Sequence, residues 1–250
     1  MCAVVFPADC LLCGRQLEQA GGGSICPLCW ESLEAWLGPH CECCGLPLAS
    51  ERAAELGDAI CAPCRLGEQD FDRARSYGLY TGNLRKAILH LKFYGRGHLA
   101  NRLGELLLRP LEALTERDSA LVVPVPLHAS RSRERGFNQA ALLARGLVRK
   151  IRRKERGLQL AADLLFRLRP TLPQVGLSAS ARRENVRGVF AVSKPERVRD
   201  RTVLLVDDVM TTGATLSACA AALKRAGATR VLALSLARAT PQFPDTVASG

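Results

Sequence analysis

Apolar residues recur along the second two-thirds of this chain with two periods, and each period predicts a different element. In NLRKAILHLKFYG (83–95), Leu84, Ile88 and Leu91 recur at helical spacing. LANRLGELLLRPLEAL (99–114) predicts a second helix, interrupted or ended near Pro110. FNQAALLARGLVRKIRRK (137–154) predicts a third helix, increasingly basic towards its end. Between the helices lie short apolar runs that read as strands: RARSYGLYTG with a turn (73–82), ALVVPVPL running into prolines (120–127), DLLFRLRP (163–170) and VFAV (189–192). SASARRENVRG (178–188) reads as a loop or short helix. The strongest triplet comes last: strand TVLLVDDV (202–209), helix TLSACAAALKRAGA (215–228) and strand RVLALSLAR (230–238), a β-α-β unit. Strands alternating with helices predict an α/β domain whose parallel sheet is covered on both faces.

The first 68 residues follow no such pattern, and cysteine chemistry dominates them. Of eleven cysteines, ten lie between Cys2 and Cys64, and eight form four C-x-x-C pairs. These are Cys10 with Cys13, Cys26 with Cys29, Cys41 with Cys44, and Cys61 with Cys64. A disulfide framework would need an oxidising compartment, and a redox C-x-x-C accounts for one pair rather than four. Two cysteines on a tight knuckle turn place both thiolates on one ion, and two knuckles complete a closed tetrahedral site. Gly14 and Gly45 directly follow second cysteines, where such a turn favours positive φ. Structural Zn²⁺ is therefore expected, held by Cys10, Cys13, Cys26 and Cys29 and by Cys41, Cys44, Cys61 and Cys64, with an interleaved pairing left open. The organisation expected is a double zinc ribbon over 1–68 and an α/β domain over 69–250.

The run VLLVDDVMTTGAT (203–215) carries the chemistry of that domain. A continuous apolar strand ends in Asp207 and Asp208, and ligands of open α/β sheets bind outside the carboxyl ends of strands. The turn that follows enters a helix, whose N-terminus offers free N–H groups and a positive dipole end to phosphate. Thr211, Thr212 and Thr215 add hydroxyls, and Gly213 lets the backbone approach closely. A carboxylate pair beside a phosphate cradle fits a sugar phosphate with two free hydroxyls. Turn-forming or capping aspartates would explain one acid better than two.

This run resembles the phosphoribosyl-pyrophosphate signature of type I phosphoribosyltransferases. The whole chain resembles the narrower ComF family, also called GntX-like, through its paired cysteines, RSRERGFNQAALLA (131–144), RRENVRGVF (182–190) and the signature run. The resemblance implies a parallel-sheet type I phosphoribosyltransferase domain, with phosphoribosyl pyrophosphate and Mg²⁺ as ligands. It implies that Asp207 and Asp208 hold the ribose hydroxyls, while the backbone and hydroxyls of Val209, Met210, Thr211, Thr212, Gly213, Ala214 and Thr215 cradle the 5′-phosphate. It further implies a link to DNA uptake and natural transformation, with single-stranded DNA and DNA-uptake or helicase proteins as partners. The alternatives are a non-catalytic sensor of phosphoribosyl pyrophosphate and a nucleobase-salvage enzyme.

Charge sharpens this picture. The formal net charge is +11, and ten basic residues against two acids lie between Arg131 and Arg156. Such an excess favours anionic partners. Arg131, Arg133 and Arg135, together with Arg183, are candidate pyrophosphate contacts, since guanidinium forks suit phosphate oxygens. In the cluster of Lys92, Phe93 and Tyr94 the aromatics are expected to serve core packing in preference to stacking a base, and Cys219 to be a small buried residue. No apolar run is long enough to span a bilayer and the N-terminus lacks a secretory pattern, so a cytoplasmic protein without membrane insertion is expected.

Overall fold

In the computed structural model, which describes residues 9–17, 25–48, 59–94, 97–114, 119–128, 133–152, 157–171 and 178–240, the apolar run of 203–206 lies at the middle of a parallel sheet. The N-terminal region contributes two short helices, α1 (Pro27–Glu31) and α2 (Ala62–Arg65). The sheet is built from β1 (Arg73–Leu79), β2 (Ala120–Pro124), β3 (Leu158–Leu160), β6 (Thr202–Met210) and β7 (Arg230–Arg238), in the spatial order β1-β7-β6-β2-β3. All four pairings are parallel. Side chains alternate across it as strand geometry requires. Leu204 and Val206 enter one core with Val122, Leu232 and Leu234, while Val203 and Leu205 enter the other with Val123, Val231 and Ala233.

Helices α3 (Gly82–Tyr94), α4 (Gly97–Leu106), α5 (Leu108–Glu112) and α6 (Gln139–Arg152) cover the first face, and α8 (Ala214–Arg225) covers the second. Leu84, Ile88 and Leu91 are all buried, as their spacing predicts. The helix interruption falls at Leu107, not at Pro110 itself. Proline cannot donate to the carbonyl four residues back and crowds it, so the break appears at 106–107, ahead of the proline. Helices α4 and α6 approach backbone to backbone through Gly104 and Gly146. A Cβ at Gly104 would collide with the Leu143 carbonyl oxygen, and one at Gly146 would sit 2.7 Å from that of Asn101. Gly104→Ala is expected to lower stability by roughly 1–3 kcal/mol, read by denaturant unfolding.

Three elements differ from the sequence reading. Strand β3 has no periodic signal because it is three residues long; it forms by pairing with β2. Strands β4 (Leu165–Arg167) and β5 (Phe190–Val192) are both present but stay outside the main sheet, paired antiparallel with each other. The ambiguous segment between them is helix α7 (Ala179–Val186), capped by Ser178, whose Oγ accepts the Ala181 N–H at 3.2 Å. This hairpin and α7 form a hood over the α8 side of the sheet. Among the described residues, no helix is long and apolar enough to cross a membrane.

The cysteine-rich segment is packed into the same two cores. Cys10, Cys26, Cys29 and Leu33 join the α3–α6 core, whereas Cys41, Cys44 and Cys61 join the α8 core. It thus straddles the edge at β1. The Trp36 N–H donates to the Tyr77 carbonyl at 2.8 Å, and the Ala74 N–H to the Cys43 carbonyl at 2.7 Å. These bonds occupy backbone groups that an edge strand would otherwise present to other chains. Arg102 lies over the Trp30 ring at 3.8 Å and ties α4 to the segment around α1.

Candidate functional site

The thiols gather into two groups. The sulfurs of Cys10, Cys13, Cys26 and Cys29 all lie within 4.8 Å of one another, and so do those of Cys41, Cys44, Cys61 and Cys64. The pairing is sequential, not interleaved. A tetrahedral zinc with Zn–S near 2.3 Å needs sulfurs about 3.8 Å apart; Cys13–Cys26 and Cys44–Cys61 stand at 3.9 and 3.5 Å. Knuckle amides already point at sulfur: Cys26 N–H at Cys10 and Cys61 N–H at Cys41, both at 3.3 Å. Gly14 and Gly45 take positive φ of 71° and 65°, as the knuckles require. The residues fit Zn²⁺, and four protein ligands leave no open coordination position for catalysis.

The second quartet is bound to the sheet by two buried arginines. Arg75 donates to the Glu42 carbonyl at 2.8 Å, and Arg238, only 5% exposed, reaches the Cys44 carbonyl at 3.4 Å and its sulfur at 3.8 Å. Burial pulls both guanidinium pKa values down, while the facing cysteine sulfurs favour the charged forms. A thiolate quartet is the natural counter-charge for two cations removed from water.

At the carboxyl end of β6 the acid pair opens into a cavity of about 400 Å³, within the range of small-molecule sites. Asp207 and Asp208 line it with Val209, Met210, Thr211, Gly213, Ala214 and Thr215. Thr212 does not: its carbonyl accepts from Gln69 at 3.2 Å, and its hydroxyl lies 3.4 Å from the Ala214 N–H. Gly213 is the N-cap of α8 with φ of 83° and no side-chain cap, so the helix's first turn faces the cavity. A Cβ there would meet Met210 Cε at 2.8 Å and Gln69 Oε1 at 3.0 Å. Ser217 anchors the helix by donating to Asp70 at 2.7 Å.

Other walls come from distant elements. Tyr80 precedes α3 and Lys92 lies in its last turn, and Val125, Pro126 and Leu127 follow β2. Arg135 and Gln139 stand at the start of α6, while Arg167, Thr171 and Arg182 descend from the hood. Of the candidate arginines, Arg135 lines the cavity and also reaches Gln139 at 3.3 Å. Arg183 is turned away, paired with Glu68 at 2.8 Å. Arg133 is exposed and not in the lining, and Arg131 lies outside the described residues. Sequence reasoning gave Lys92 no role of its own and did not single out Arg167, Thr171 or Gln139. Phe93, expected in the core, is 71% exposed. Leu84, Ile88 and Leu91 occupy the buried face of α3, and Phe93 falls opposite Leu91.

The acids are unequal. Asp208 is 4% exposed and its Oδ2 lies 3.3 Å from the Lys92 ammonium. Asp207 accepts the Asp208 N–H at 2.8 Å. Its carboxyl is pushed up to about 8, first by removal from water and then by the neighbouring Asp208 charge. An acid protonated in the folded state up to about 8, but ionised in the unfolded chain above about 4, costs stability progressively as pH rises between them. Asp207→Asn is therefore expected to raise the melting temperature at pH 8 more than at pH 5. An equal change at both would show that Asp207 does not bind the proton.

Comparison with known proteins agrees with this geometry. Residues 1–65 match the double zinc ribbon domain, and residues 154–245 match the phosphoribosyl transferase domain. The chain is 32% identical over 240 residues to Competence protein F of Haemophilus influenzae, covering 94% of this chain and 98% of that one. It is 32% identical over 241 residues to DNA utilization protein YhgH of Escherichia coli K12, covering 94% and 99%. Competence protein ComFC of Bacillus subtilis is 24% identical over 246 residues, covering 87% and 89%. The chain belongs to the ComF family of competence and DNA-utilization proteins, which join a double zinc ribbon to a phosphoribosyltransferase-type α/β domain.

Proposed function

We propose that this protein binds phosphoribosyl pyrophosphate together with Mg²⁺ and acts, in the cytoplasm, in the uptake or utilisation of DNA. One observation carries the reading: the acid pair and the uncapped start of α8 share a cavity with Lys92, Arg135, Arg167 and Arg182. Asp207 and Asp208 would accept hydrogen bonds from the ribose hydroxyls. The turn Val209–Thr215 would surround the 5′-phosphate with N–H donors and the Thr211 and Thr215 hydroxyls. The arginines would face the pyrophosphate, where fixed cations stabilise charge developing on a leaving group. Mg²⁺ would arrive on the pyrophosphate oxygens and neutralise part of that charge.

The reaction is displacement at ribose C1, with pyrophosphate leaving and an acceptor of unassigned chemistry entering. Calorimetry with phosphoribosyl pyrophosphate and Mg²⁺ tests the pocket, and absence of binding by the intact protein refutes it. Pyrophosphate release with a panel of acceptors tests the transfer. Binding without release for every acceptor would favour a sensor.

The DNA role rests on the basic stretch. Arg145 and Arg149 are exposed on α6, and Lys150 pairs with Glu105 at 2.9 Å. Single-stranded DNA should bind there weakly, with little dependence on base sequence. Replacing Arg149, Lys150, Arg152 and Arg153 with Gln is expected to remove most of that affinity and flatten its dependence on salt, because each lost phosphate contact releases fewer counterions. Retained binding with an unchanged salt slope, measured by fluorescence anisotropy, would move the DNA site to the ribbons or to a partner protein.

A further inference from the structure

We propose that Lys92 is a positioning residue of the ligand pocket, holding Asp208 as the charged acceptor for the sugar hydroxyls. The proposal deepens the reading above and rests on it. Leu84, Ile88 and Lys92 form one row of α3 at i, i+4 spacing. The first two are buried in the core. Where the row reaches the carboxyl end of β6 it ends in a cation that lines the cavity. That cation stands 3.3 Å from Asp208 Oδ2, an atom buried with no hydrogen-bond partner. The ammonium also lies 5.9 Å from the centre of the Tyr80 ring, whose face favours a cation there.

Exposed ion pairs of this kind contribute little. This one differs because the Asp208 side chain is 6% exposed and that of Lys92 23%. A carboxylate so enclosed has few ways to keep its charge without a neighbouring cation. The groups facing the acid pair are Lys92 from α3, Tyr80 from the β1–α3 turn, Cys219 from α8, Arg167 and Arg182 from the hood, and Arg135 ahead of α6. Of these, Lys92 is the cation paired with Asp208. Lys92 also acts against protonation of Asp207, though burial and Asp208 outweigh it. With Lys92 in place the buried Asp208 oxygen has a cation beside it while it accepts from a diol; without it, that oxygen loses its ion-pair partner and Asp207 loses a charge that opposes its protonation.

The test is calorimetric titration of the full-length protein with phosphoribosyl pyrophosphate and Mg²⁺ between pH 5.5 and 8, for wild type, Lys92→Met and Lys92→Arg. Lys92→Met is expected to weaken binding at least about tenfold at the acid end and to recover as pH rises. The acid-side fall in affinity should move up by about 1–3 pH units, the effect of removing one adjacent opposite charge. Lys92→Arg should restore the wild-type profile. Lys92→Gln, which keeps polarity and removes the charge, serves the same comparison if thermal unfolding shows the Met variant to be unfolded. A loss equal at every pH, or no loss, overturns the role given to Lys92. Absence of wild-type binding at every pH overturns the pocket assignment, and this proposal with it.

Discussion

Cys41→Ser is expected to strip the protein of one zinc equivalent and to destabilise the α/β domain as well as the ribbon. The second quartet lies in the α8 core, and its carbonyls and sulfur face the buried guanidiniums of Arg75 and Arg238. Arg238 is the last residue of β7, and its carbonyl accepts the Tyr80 N–H at 2.9 Å beside the cavity. Losing the thiolate quartet leaves two buried cations without their counter-charge. Breaking a buried pair in that way costs roughly 3–5 kcal/mol, a large share of the ~5–15 kcal/mol that holds a domain folded. Loss of the metal's own binding energy adds to it. Cys10→Ser should cost less in the sheet, because no equivalent arginine of the sheet reaches a sulfur of the first quartet among the described residues. Elemental analysis should read two zinc ions per chain for the wild type and one for Cys41→Ser. Thermal unfolding should place Cys41→Ser well below both the wild type and Cys10→Ser. Two zinc ions retained in Cys41→Ser, or a wild-type melting point, would contradict the coupling.

Asp207→Ala combined with Asp208→Ala is expected to weaken phosphoribosyl pyrophosphate binding about a hundredfold or more. A hydrogen bond to a charged acceptor is worth roughly 1.5–3 kcal/mol and one to a neutral acceptor, as Asp207 is below about 8, roughly 0.5–1.5 kcal/mol, so the two together reach about a hundredfold near the middle of the range. The fold should survive, since the pair creates a stability cost and does not anchor the core. Desolvation already drives Asp207 towards its neutral form, and Asp208 needs Lys92 beside it. Functional sites commonly carry such a cost. Calorimetry on the double variant, with melting points as the control for folding, measures the effect. Unchanged affinity would remove these acids from the ligand site. Lost affinity with an intact melting point would assign them to it.

The two variants probe opposite ends of what a sequence can reveal. The acid pair, the apolar run before it and the Gly213 turn were legible because strand, turn and helix start are contiguous, so one short run specifies their geometry. Each C-x-x-C knuckle was legible for the same reason. The helix row Leu84, Ile88 and Leu91 could be read from spacing, but the fate of the next residues could not. Lys92 and Phe93 are adjacent, yet one lines the cavity and the other is exposed. That difference depends on where α3 ends relative to the sheet.

By itself, the sequence determined the local chemistry of this protein: four metal-binding knuckles, a β-α-β unit, and paired carboxylates at a strand's carboxyl end ahead of a glycine turn. Only the tertiary structure decided which knuckles share an ion and what surrounds the acids. Packing of the hood and the start of α6 against the sheet β1-β7-β6-β2-β3 draws Tyr80, Arg135, Arg167, Arg182 and Asp208 to one cavity from five separate stretches. It also turns Arg183 away to Glu68 while Arg182, its neighbour on α7, stays in the lining. Residue spacing along one element records which face a side chain takes. The contents of a cavity depend on how distant elements pack, and no local pattern in the chain encodes that.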